Sequence, residues 1–285
     1  MSRGTLFIVS TPIGNLEDIT LRGLRILREV DLIAAEDTRQ THKLLTHYGI
    51  SKPLVSYWGE REKSKAEEII ARLAAGQTVA LVSDAGTPGI SDPGHVLIRR
   101  SLEEGIRVVP VPGPTALISA LTISGFTMDR FVFAGFLPAK GGQRKRALQD
   151  LGLEEKTMVF YEAPHRVEDT LKEMAGTFGQ RRAVLVREIT KIHEEAVRGN
   201  LEGIAREVGS RAVIGECVIV VEGKIRETVV DREDALKELR SLMKKGLGRK
   251  EAARRVAGAY GMSRKELYDR SLDSDGEPSG KAGSD

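Results

Sequence analysis

Residues 78–94 read TVALVSDAGTPGISDPG and combine a predicted strand with a glycine-rich turn. The apolar, partly β-branched run 78–82 is typical of a buried strand in a parallel sheet. Asp84 follows that strand, and three glycines after it would let a ligand approach the backbone closely: Gly86, Gly89 and Gly94. Ligands of open α/β sheets bind beyond the carboxyl ends of strands, so this stretch predicts a small-molecule site.

The glycine spacing excludes the two commonest nucleotide-binding motifs. It is GxxGxxxxG rather than the GxGxxG of dinucleotide-binding folds, and the chain contains no GxxxxGK[ST] phosphate loop. NAD and ATP are therefore poor candidates for the ligand. An ordinary strand-to-helix turn remains the alternative interpretation of the spacing alone.

Length and composition indicate an ordinary globular protein of two or three units. The chain has 285 residues, and 40% of them are hydrophobic, which is enough for a sizeable core. The one cysteine, Cys217, lies in the apolar run CVIVV and is expected to be a core residue. No signal peptide, bilayer-spanning run or metal-binding motif is recognisable, so we expect a cytoplasmic protein with no metal and no membrane partner.

Positive charge is concentrated near the C-terminus. The formal net charge is +3, but residues 232–270 hold twelve Lys or Arg against six Asp or Glu. That stretch therefore carries about +6, and the rest of the chain carries about −3. A basic module attached to a nearly neutral body indicates a polyanionic partner, most commonly nucleic acid.

Strands alternate with helices along both halves of the body, and polar turns follow the strands. The pattern predicts nine strands near residues 4–10, 31–35, 54–57, 78–82, 107–111, 131–135, 157–161, 183–187 and 217–221. The turns that follow include TPIGN at 11–15, EDTR at 36–39, PGPTA at 112–116, YEAPHR at 161–166 and REITK at 187–191. This arrangement predicts an α/β architecture with ligands gathered at one edge of the sheets.

Two further segments leave alternatives open, and a third is expected to lack a fixed structure. Residues 140–146, KGGQRKR, form a predicted basic loop that either contacts phosphates or is merely solvated. Residues 234–271 predict helices around a glycine turn, which indicates either a helix-turn-helix or a small docking bundle. The tail, residues 273–285, lacks core-forming residues and is expected to be disordered.

Seven motifs together resemble one family. STPIGNLEDIT, EDTR, SDAGTPGISDPG, PGPTA, GFLP, YEAPHR and REITK occur in this order over residues 4–223. The set resembles the tetrapyrrole-methylase superfamily and, within it, the ribosomal RNA small-subunit methyltransferase I family, which also ends in a basic helical module. The Ile in REITK stands where Leu is expected, which is a conservative change.

The resemblance implies a fold, an activity and partners. The implied fold has two α/β subdomains, 1–118 and 119–228, with a cofactor cleft between them, followed by an all-α RNA-binding module at 232–272. The implied reaction transfers a methyl group from S-adenosylmethionine to the ribose 2′-oxygen of a cytidine in the decoding region of 16S rRNA. The partners would be 16S rRNA or the small ribosomal subunit, and the enzyme would be a homodimer.

The resemblance also assigns residues to the cofactor site. The methionine part would be held by the central motif, with the first turn bordering the same pocket: Asp84, Ala85, Gly86, Ile90, Ser91, Pro12 and Gly14. The remaining walls, nearer the adenosine, would come from Pro114, Thr115, Ala116, Phe160, Tyr161, Thr190 and Lys191.

A 2′-hydroxyl is a poor nucleophile, so a positioned base should assist the transfer. The polar turns offer Asp37, Glu162, His165 and Lys191, of which Asp37 and His165 are the tentative catalytic residues. Substrate contacts are expected from Arg39, Glu162, Arg166, Arg144, Lys145, Arg249, Lys250 and Arg254. Two alternatives stay open: a methylase of small tetrapyrroles, and a non-enzymatic RNA-binding assembly protein.

Overall fold

A computed structural model of the protein describes residues 3–59, 62–225 and 232–273. The chain forms two compact units, Met1–Lys224 and Ile225–Asp285. The first unit contains two five-stranded sheets, and the second contains helices. No helix in the described part of the chain is long and apolar enough to cross a bilayer.

The first sheet is entirely parallel and has the order β3-β2-β4-β1-β5. Its strands are β1 Thr5–Val9, β2 Leu32–Ala35, β3 Leu54–Ser56, β4 Val79–Val82 and β5 Arg107–Val111. The strand β4, which belongs to the motif at residues 78–94, is therefore the central strand of this sheet. All four of its residues are buried, because helices cover both faces of the sheet.

Apolar stripes fix the helices on the two faces of this sheet. These helices are α1 Leu21–Glu29, α2 Thr38–His47, α3 Glu62–Ala74 and α4 His95–Glu103, and the next helix along the chain is α5 Ala116–Ser124. The first two pack on one face, through residues such as Leu27 and Leu45, and the next two pack on the other, through residues such as Ile69 and Leu97. The side chain of Thr20 caps α1 by accepting a hydrogen bond from the Gly23 N–H at 3.0 Å.

The helix α5 connects the two sheets. It follows β5, yet its buried residues Leu117 and Leu121 pack against Val159 and Val184 of the second sheet. The subdomain boundary predicted at residue 118 therefore falls inside a helix that belongs to the core of the second half. The chain therefore passes from the first half to the second through β5 and α5.

The second sheet is mixed and has the order β6-β7-β10-β8-β9. Its strands are β6 Phe131–Phe136, β7 Thr157–Glu162, β8 Arg182–Arg187, β9 Glu195–Asn200 and β10 Cys217–Val221. The pairing of β6 with β7 is parallel, whereas β10 is antiparallel to both of its neighbours. The amino end of β10 consequently lies at the same edge as the carboxyl ends of β7 and β8.

Two elements of this half differ from the sequence prediction. The strand β9 was not predicted, because EAVRGN is short, partly exposed and polar. The predicted basic loop at 140–146 is wrong, since these residues begin the helix α6 Gly141–Asp150. The remaining helices of this half are α7 Val167–Phe178 and α8 Leu201–Gly209.

The second unit is a three-helix arrangement. Its helices are α9 Arg232–Lys244, α10 Arg249–Tyr260 and α11 Arg264–Asp273. Leu239, Val256 and Leu267, one from each helix, are buried in its core. Gly261 ends α10 in the left-handed conformation, as a turn between helices requires. The predicted disorder of the tail concerns residues outside the described part of the chain, except Asp273, which ends α11.

Candidate functional site

The carboxyl edges of the two sheets face each other across a cleft. Three adjoining pockets occupy the cleft and its rim, and each is lined by the turns that follow the strands. The turn after β4 lies between the pockets, because Asp84 and Ala85 contribute to two of them. The sheet edge at which the sequence predicts ligand binding therefore lines the cleft of the first unit.

The largest share of predicted cofactor residues surrounds one pocket of about 370 Å³, which we call the central pocket. It is lined by Ile13, Glu36, Asp84, Ala85, Gly86, Thr87, Ile90, Ser91, Asp92, Thr115, Ala116, Phe136, Tyr161, Glu162, Ala163, Pro164, Glu216, Cys217 and Val218. Both sheets contribute to this wall. Its volume lies within the usual range for small-molecule sites.

A second pocket, which we call the lysine pocket, continues from the central one. It is also about 370 Å³ and contains Lys191 together with the turn after β1. Its lining is Thr11, Pro12, Ile13, Gly14, Leu16, Gln40, Thr41, Lys43, Leu44, Ser83, Asp84, Ala85, Lys191 and Glu216. The predicted residues Pro12, Gly14 and Lys191 are thus brought together here.

Backbone pairing holds the turns after β1 and β4 against each other. The Thr11 N–H donates to the Gly86 carbonyl at 2.8 Å, and the Gly86 N–H donates to the Thr11 carbonyl at 3.0 Å. The Thr11 hydroxyl also donates to the Ser83 carbonyl at 3.0 Å. Gly86 has φ +82°, a conformation that favours glycine, and it presents bare backbone to the central pocket.

The turn after β8 closes the cleft from the second sheet. The Thr190 hydroxyl donates to the Asp18 carboxylate at 2.6 Å, and the Lys191 ammonium lies 2.9 Å from the Glu188 carboxylate. The aliphatic part of Lys191 covers Gly14, where an added Cβ would come within 2.5 Å of the lysine Cγ. Glycine at position 14 therefore makes room for the lysine.

Backbone strain is concentrated around the same cleft. The non-glycine residues with positive φ in the described part of the chain are Ser91 at 63°, Glu188 at 50° and Thr190 at 67°. Such conformations cost roughly 1–2 kcal/mol each, and they cluster at functional sites. Ser91 lines the central pocket. Glu188 and Thr190 precede Lys191 in the turn after β8.

The central pocket is acidic. Five acidic side chains line it: Glu36, Asp84, Asp92, Glu162 and Glu216. Burial raises the pKa of Glu36, and burial together with the negative charge of Glu36 raises the pKa of Asp92 to about 6. A cluster of this kind favours a bound cation, which would relieve the repulsion between the carboxylates.

Tyr161, which the resemblance assigns to the cofactor site, lines the central pocket from the second sheet. Its hydroxyl oxygen accepts a hydrogen bond from the Leu117 N–H at 3.2 Å, near the start of α5, and its ring packs edge-on against Phe133 and Phe136. Phe160 does not form part of this wall. Side chains alternate along a strand, so Phe160 is directed to the opposite face of β7 and lies fully buried in the core.

The remaining predicted cofactor residues lie beside the pockets. Thr190 bonds to Asp18 as described, and the Pro114 carbonyl lies 3.8 Å from where a Cβ on Gly86 would be. Lining residues that the sequence left outside the predicted cofactor site include Asp92, Glu216, Cys217 and Val218. Glu216 directly precedes β10, and Cys217 and Val218 begin it, so only the antiparallel direction of that strand brings them to this edge. Asp92 lies within the motif at residues 78–94, so its position in that motif could have indicated a place in the pocket.

The predicted catalytic residues occupy different surroundings. Asp37 caps α2 by accepting a hydrogen bond from the Arg39 N–H at 2.8 Å, and its carboxylate also pairs with the Arg39 guanidinium at 2.6 Å. The hydrogen bonds from Arg39 hold the pKa of Asp37 at about 2. His165 is exposed on the turn before α7 and does not line any of the three pockets.

Asp37 and Arg39 line a third pocket, of about 410 Å³, which we call the rim pocket. Its lining is Glu36, Asp37, Thr38, Arg39, Ser56 and Trp58. Glu36 belongs to the rim pocket and to the central pocket, so the two are neighbours. The Arg39 side chain is 87% exposed.

Several predicted substrate residues instead have partners within the protein. Glu162 is buried and accepts a hydrogen bond from the Thr170 hydroxyl at 2.7 Å, while Arg166 donates to the Leu137 carbonyl at 3.0 Å. Arg144 pairs with Glu173 across α6 and α7, so the structure does not leave its guanidinium available for phosphates.

The other predicted substrate residues are more accessible. Lys145 is exposed on α6. In the second unit, Lys250 and Arg254 are exposed on α10 and Arg249 is partly exposed. Arg254 forms an exposed ion pair with Glu251.

Two family models match the chain. The model described as Tetrapyrrole (Corrin/Porphyrin) Methylases matches residues 5–205, and the model described as RsmI C-terminal HTH domain matches residues 229–275. The second match corresponds to the part of the chain that holds the C-terminal helices.

Curated relatives match over nearly the whole length. A ribosomal RNA small subunit methyltransferase I from Synechocystis sp. is 47% identical over 273 residues, covering 95% of this chain and 98% of that protein. The protein of the same name from Escherichia coli O157:H7 is 46% identical over 279 residues, with coverages of 96% and 97%.

Solved structures share the fold at low sequence identity. A diphthine synthase is 15% identical with a TM-score of 0.61, covering 78% of this chain and 90% of that one. A uroporphyrin-III C-methyltransferase from Thermus thermophilus, complexed with S-adenyl homocysteine, is 21% identical with a TM-score of 0.55 and coverages of 77% and 97%. These similarities concern the architecture of the first unit's two sheets.

Proposed function

The chain belongs to the ribosomal RNA small subunit methyltransferase I family of the tetrapyrrole methylases, and on that premise we propose its reaction. It transfers a methyl group from S-adenosylmethionine to the ribose 2′-oxygen of a cytidine in the decoding region of 16S rRNA. The observation that carries the proposal is the acidic cleft between the two sheets, which fits a cationic cofactor beside an RNA-facing rim.

The residues of the cleft fit S-adenosylmethionine on charge and on shape. The cofactor carries a sulfonium and an ammonium, and the central pocket offers five carboxyl groups. Gly86 leaves the backbone open beside Ile13, so a ligand can approach the main chain there. We propose that Asp84, Ala85 and Gly86 hold the methionine part, with Tyr161, Thr115 and Ala116 nearer the adenosine.

The protein's main contribution is alignment. S-adenosylmethionine supplies an electrophilic methyl group, and the transfer needs the 2′-oxygen in line with the methyl carbon. The paired turns after β1 and β4 fix one wall of the cleft, and the Thr190–Asp18 hydrogen bond connects the other wall to it. Rigid walls limit the geometries available to cofactor and substrate.

We further propose that Asp92 accepts the proton of the 2′-hydroxyl. It lies inside the central pocket, and its raised pKa, about 6, is close to the neutral pH at which a general base works best. Asp37 is a weak base because Arg39 holds its pKa at about 2. Asp37 and His165 stay sequence predictions that the same experiment addresses.

Single-turnover methylation separates these candidates. Asp92→Asn should lower the methyl-transfer rate by about 100-fold or more, the usual contribution of a positioned base, which is a larger loss than the weaker S-adenosylmethionine binding expected from removing one of the pocket's carboxylates. Asp37→Ala and His165→Ala should leave the rate close to wild type. A full rate in Asp92→Asn, or a comparable loss in either alanine variant, contradicts the assignment of Asp92.

The reaction itself is tested with small ribosomal subunits that lack ribose methylation. The protein and labelled S-adenosylmethionine should yield 2′-O-methylcytidine, identified by nuclease digestion and mass spectrometry of the nucleosides. Asp84→Arg should abolish the product, and Asp150→Arg, on the exposed side of α6, should not. Cofactor binding without a methylated nucleoside would overturn the proposal and favour a tetrapyrrole-type methylase or a non-enzymatic role.

We also propose where the protein acts and how it assembles. The RNA substrate supports a cytoplasmic location, and the family resemblance supports a homodimer. The mass of the purified protein from sedimentation equilibrium tests the dimer directly.

A further inference from the structure

Trp58 stands out on the rim of the cleft. It is the one tryptophan of the chain, its side chain is 62% exposed, and it lines the rim pocket beside Arg39. A large aromatic ring in a pocket of about 410 Å³ next to an active-site cleft offers a flat apolar surface to a ligand.

The position of Trp58 is held by its neighbour Tyr57. The Tyr57 side chain is fully buried, and its hydroxyl donates to the Glu62 carboxylate at 3.0 Å and accepts from the Leu97 N–H at 3.1 Å. The backbone that carries Trp58 is therefore anchored to α3 and α4. Its ring is presented from a fixed point, which lowers the entropy lost when a ligand stacks on it.

The rim pocket is continuous with the place where the chemistry occurs. Glu36 forms part of the rim pocket and of the central pocket, and Asp37 follows it directly. A nucleotide whose ribose reaches the central pocket would consequently bring its own base, or the adjacent one, to the rim. Arg39, 87% exposed, adds a guanidinium that can contact a base or a phosphate there.

We propose that the rim pocket binds a nucleobase of the RNA substrate, stacked on Trp58. The inference rests on the proposed function, because it assigns the RNA strand to this pocket. Single-stranded RNA is recognised by stacking unpaired bases on aromatic side chains, and this interaction tolerates any base identity. In its ionised form the Glu36 carboxylate accepts hydrogen bonds, which favours a base with an amino group, such as cytosine.

The tryptophan itself reports on the binding. Because the chain has one tryptophan, the emission excited selectively from tryptophan arises from this pocket alone. A short single-stranded RNA with the decoding-region sequence should quench that fluorescence, with or without S-adenosylmethionine. An unchanged emission at RNA concentrations that bind the protein would overturn the proposal.

Matched variants separate stacking from a structural role. Trp58→Ala should weaken RNA binding by about 5- to 150-fold, the fold-change that corresponds to the loss of one stacked base. Trp58→Phe should retain most of the affinity, because it keeps an aromatic face. Leu153→Ala, another highly exposed apolar side chain, should bind as wild type. Equal losses in the phenylalanine and alanine variants would contradict stacking.

The experiment also distinguishes this inference from its alternatives. If wild type methylates subunits and Trp58→Ala does so with unchanged KM, the inference fails while the proposed function stands. If no variant methylates RNA, the proposed function fails, and the quenching still decides whether the rim pocket binds a base. If Trp58→Ala changes the sedimentation mass but not RNA affinity, Trp58 belongs to an interface between copies and the inference is wrong.

Discussion

The hydroxyl of Thr190 donates a hydrogen bond of 2.6 Å to the carboxylate of Asp18, although 172 residues separate the two along the chain. Asp18 belongs to the short 3₁₀ turn Leu16–Asp18 of the first half, and Thr190 follows β8 of the second. Both residues are partly buried. This bond therefore connects the two walls of the cleft directly.

Thr190→Val tests how much that connection contributes. Valine keeps the branched shape but removes the donor, so the free energy of unfolding should fall by about 1.5 kcal/mol, as for a hydrogen bond to a charged group. Urea denaturation measures the change. Thr46→Val, which removes an exposed hydroxyl 3.2 Å from His42 within one helix, should cost less. Equal losses of unfolding free energy in the two variants would show that the hydrogen bond across the cleft stabilises the protein no more than an exposed one.

Gly86→Ala and Gly49→Ala form a matched pair. Both glycines have positive φ, +82° and +62°, so alanine should destabilise each by about 1 kcal/mol. Only Gly86 lines the central pocket, between Ile13 and the Pro114 carbonyl. Titration calorimetry should consequently find weaker S-adenosylmethionine binding in the Gly86 variant alone. Equal affinities in both variants would remove Gly86 from the cofactor site.

Asp92→Asn should change how stability depends on pH. The folded protein raises the pKa of Asp92 to about 6, above the ordinary value of 3.8, so folding favours the protonated carboxyl. Its contribution to stability is therefore complete below pH 3.8 and is lost as the pH rises through about 6. Asparagine stays neutral, so the variant should be more stable than wild type at pH 8 by about 1–2 kcal/mol, since the half-buried site is screened by solvent.

Thermal melts between pH 4 and pH 8 measure that difference. The gain in melting temperature should shrink toward zero as the pH falls to 4, where the wild-type carboxyl is also protonated. Asp150→Asn, at an exposed position on α6, should show a constant and small difference across this range. A gain that does not depend on pH would rule out ionisation of Asp92 as its cause.

The basic residues of α10 should govern the salt dependence of RNA binding. Replacing Arg249, Lys250 and Arg254 together by alanine should reduce the slope of log K against log salt by about 2, since each phosphate contact contributes about 0.7–0.9. Filter binding at several salt concentrations provides the slope. The triple replacement of Arg22, Arg25 and Arg28, exposed on α1, is the control and should leave the slope unchanged.

Most of the fold was predictable because its signals are local. The strand of residues 79–82 is apolar throughout and ends at a glycine turn, and the Thr20 cap precedes a clear helical stripe. The family resemblance, which rested on seven motifs, is confirmed by relatives that match 93–97% of the chain. The C-terminal helices followed from apolar spacing as well.

The parts that were missed depend on pairing between distant strands. Nothing local indicates that β10 runs antiparallel to β7 and β8, so Glu216 could not be placed at the cleft from its own surroundings. Phe160 and Tyr161 are adjacent in sequence, but only Tyr161 reaches the cleft, because neighbouring side chains of a strand point in opposite directions. Arg144 is predicted to contact the substrate, but it pairs with Glu173 of the neighbouring helix, a residue that is distant in the sequence.

Engineering for heat resistance meets a conflict at three residues with positive φ: Ser91, Glu188 and Thr190. Glycine at these positions would relax the backbone, so a search guided by melting temperature alone would select it. Each replacement would also delete a side chain that lines the cleft or fixes one of its walls. Glycine substitutions at these positions should therefore raise the melting temperature and lower the turnover number. Substitutions that stabilise the protein without this loss are better sought on surfaces away from the two sheet edges.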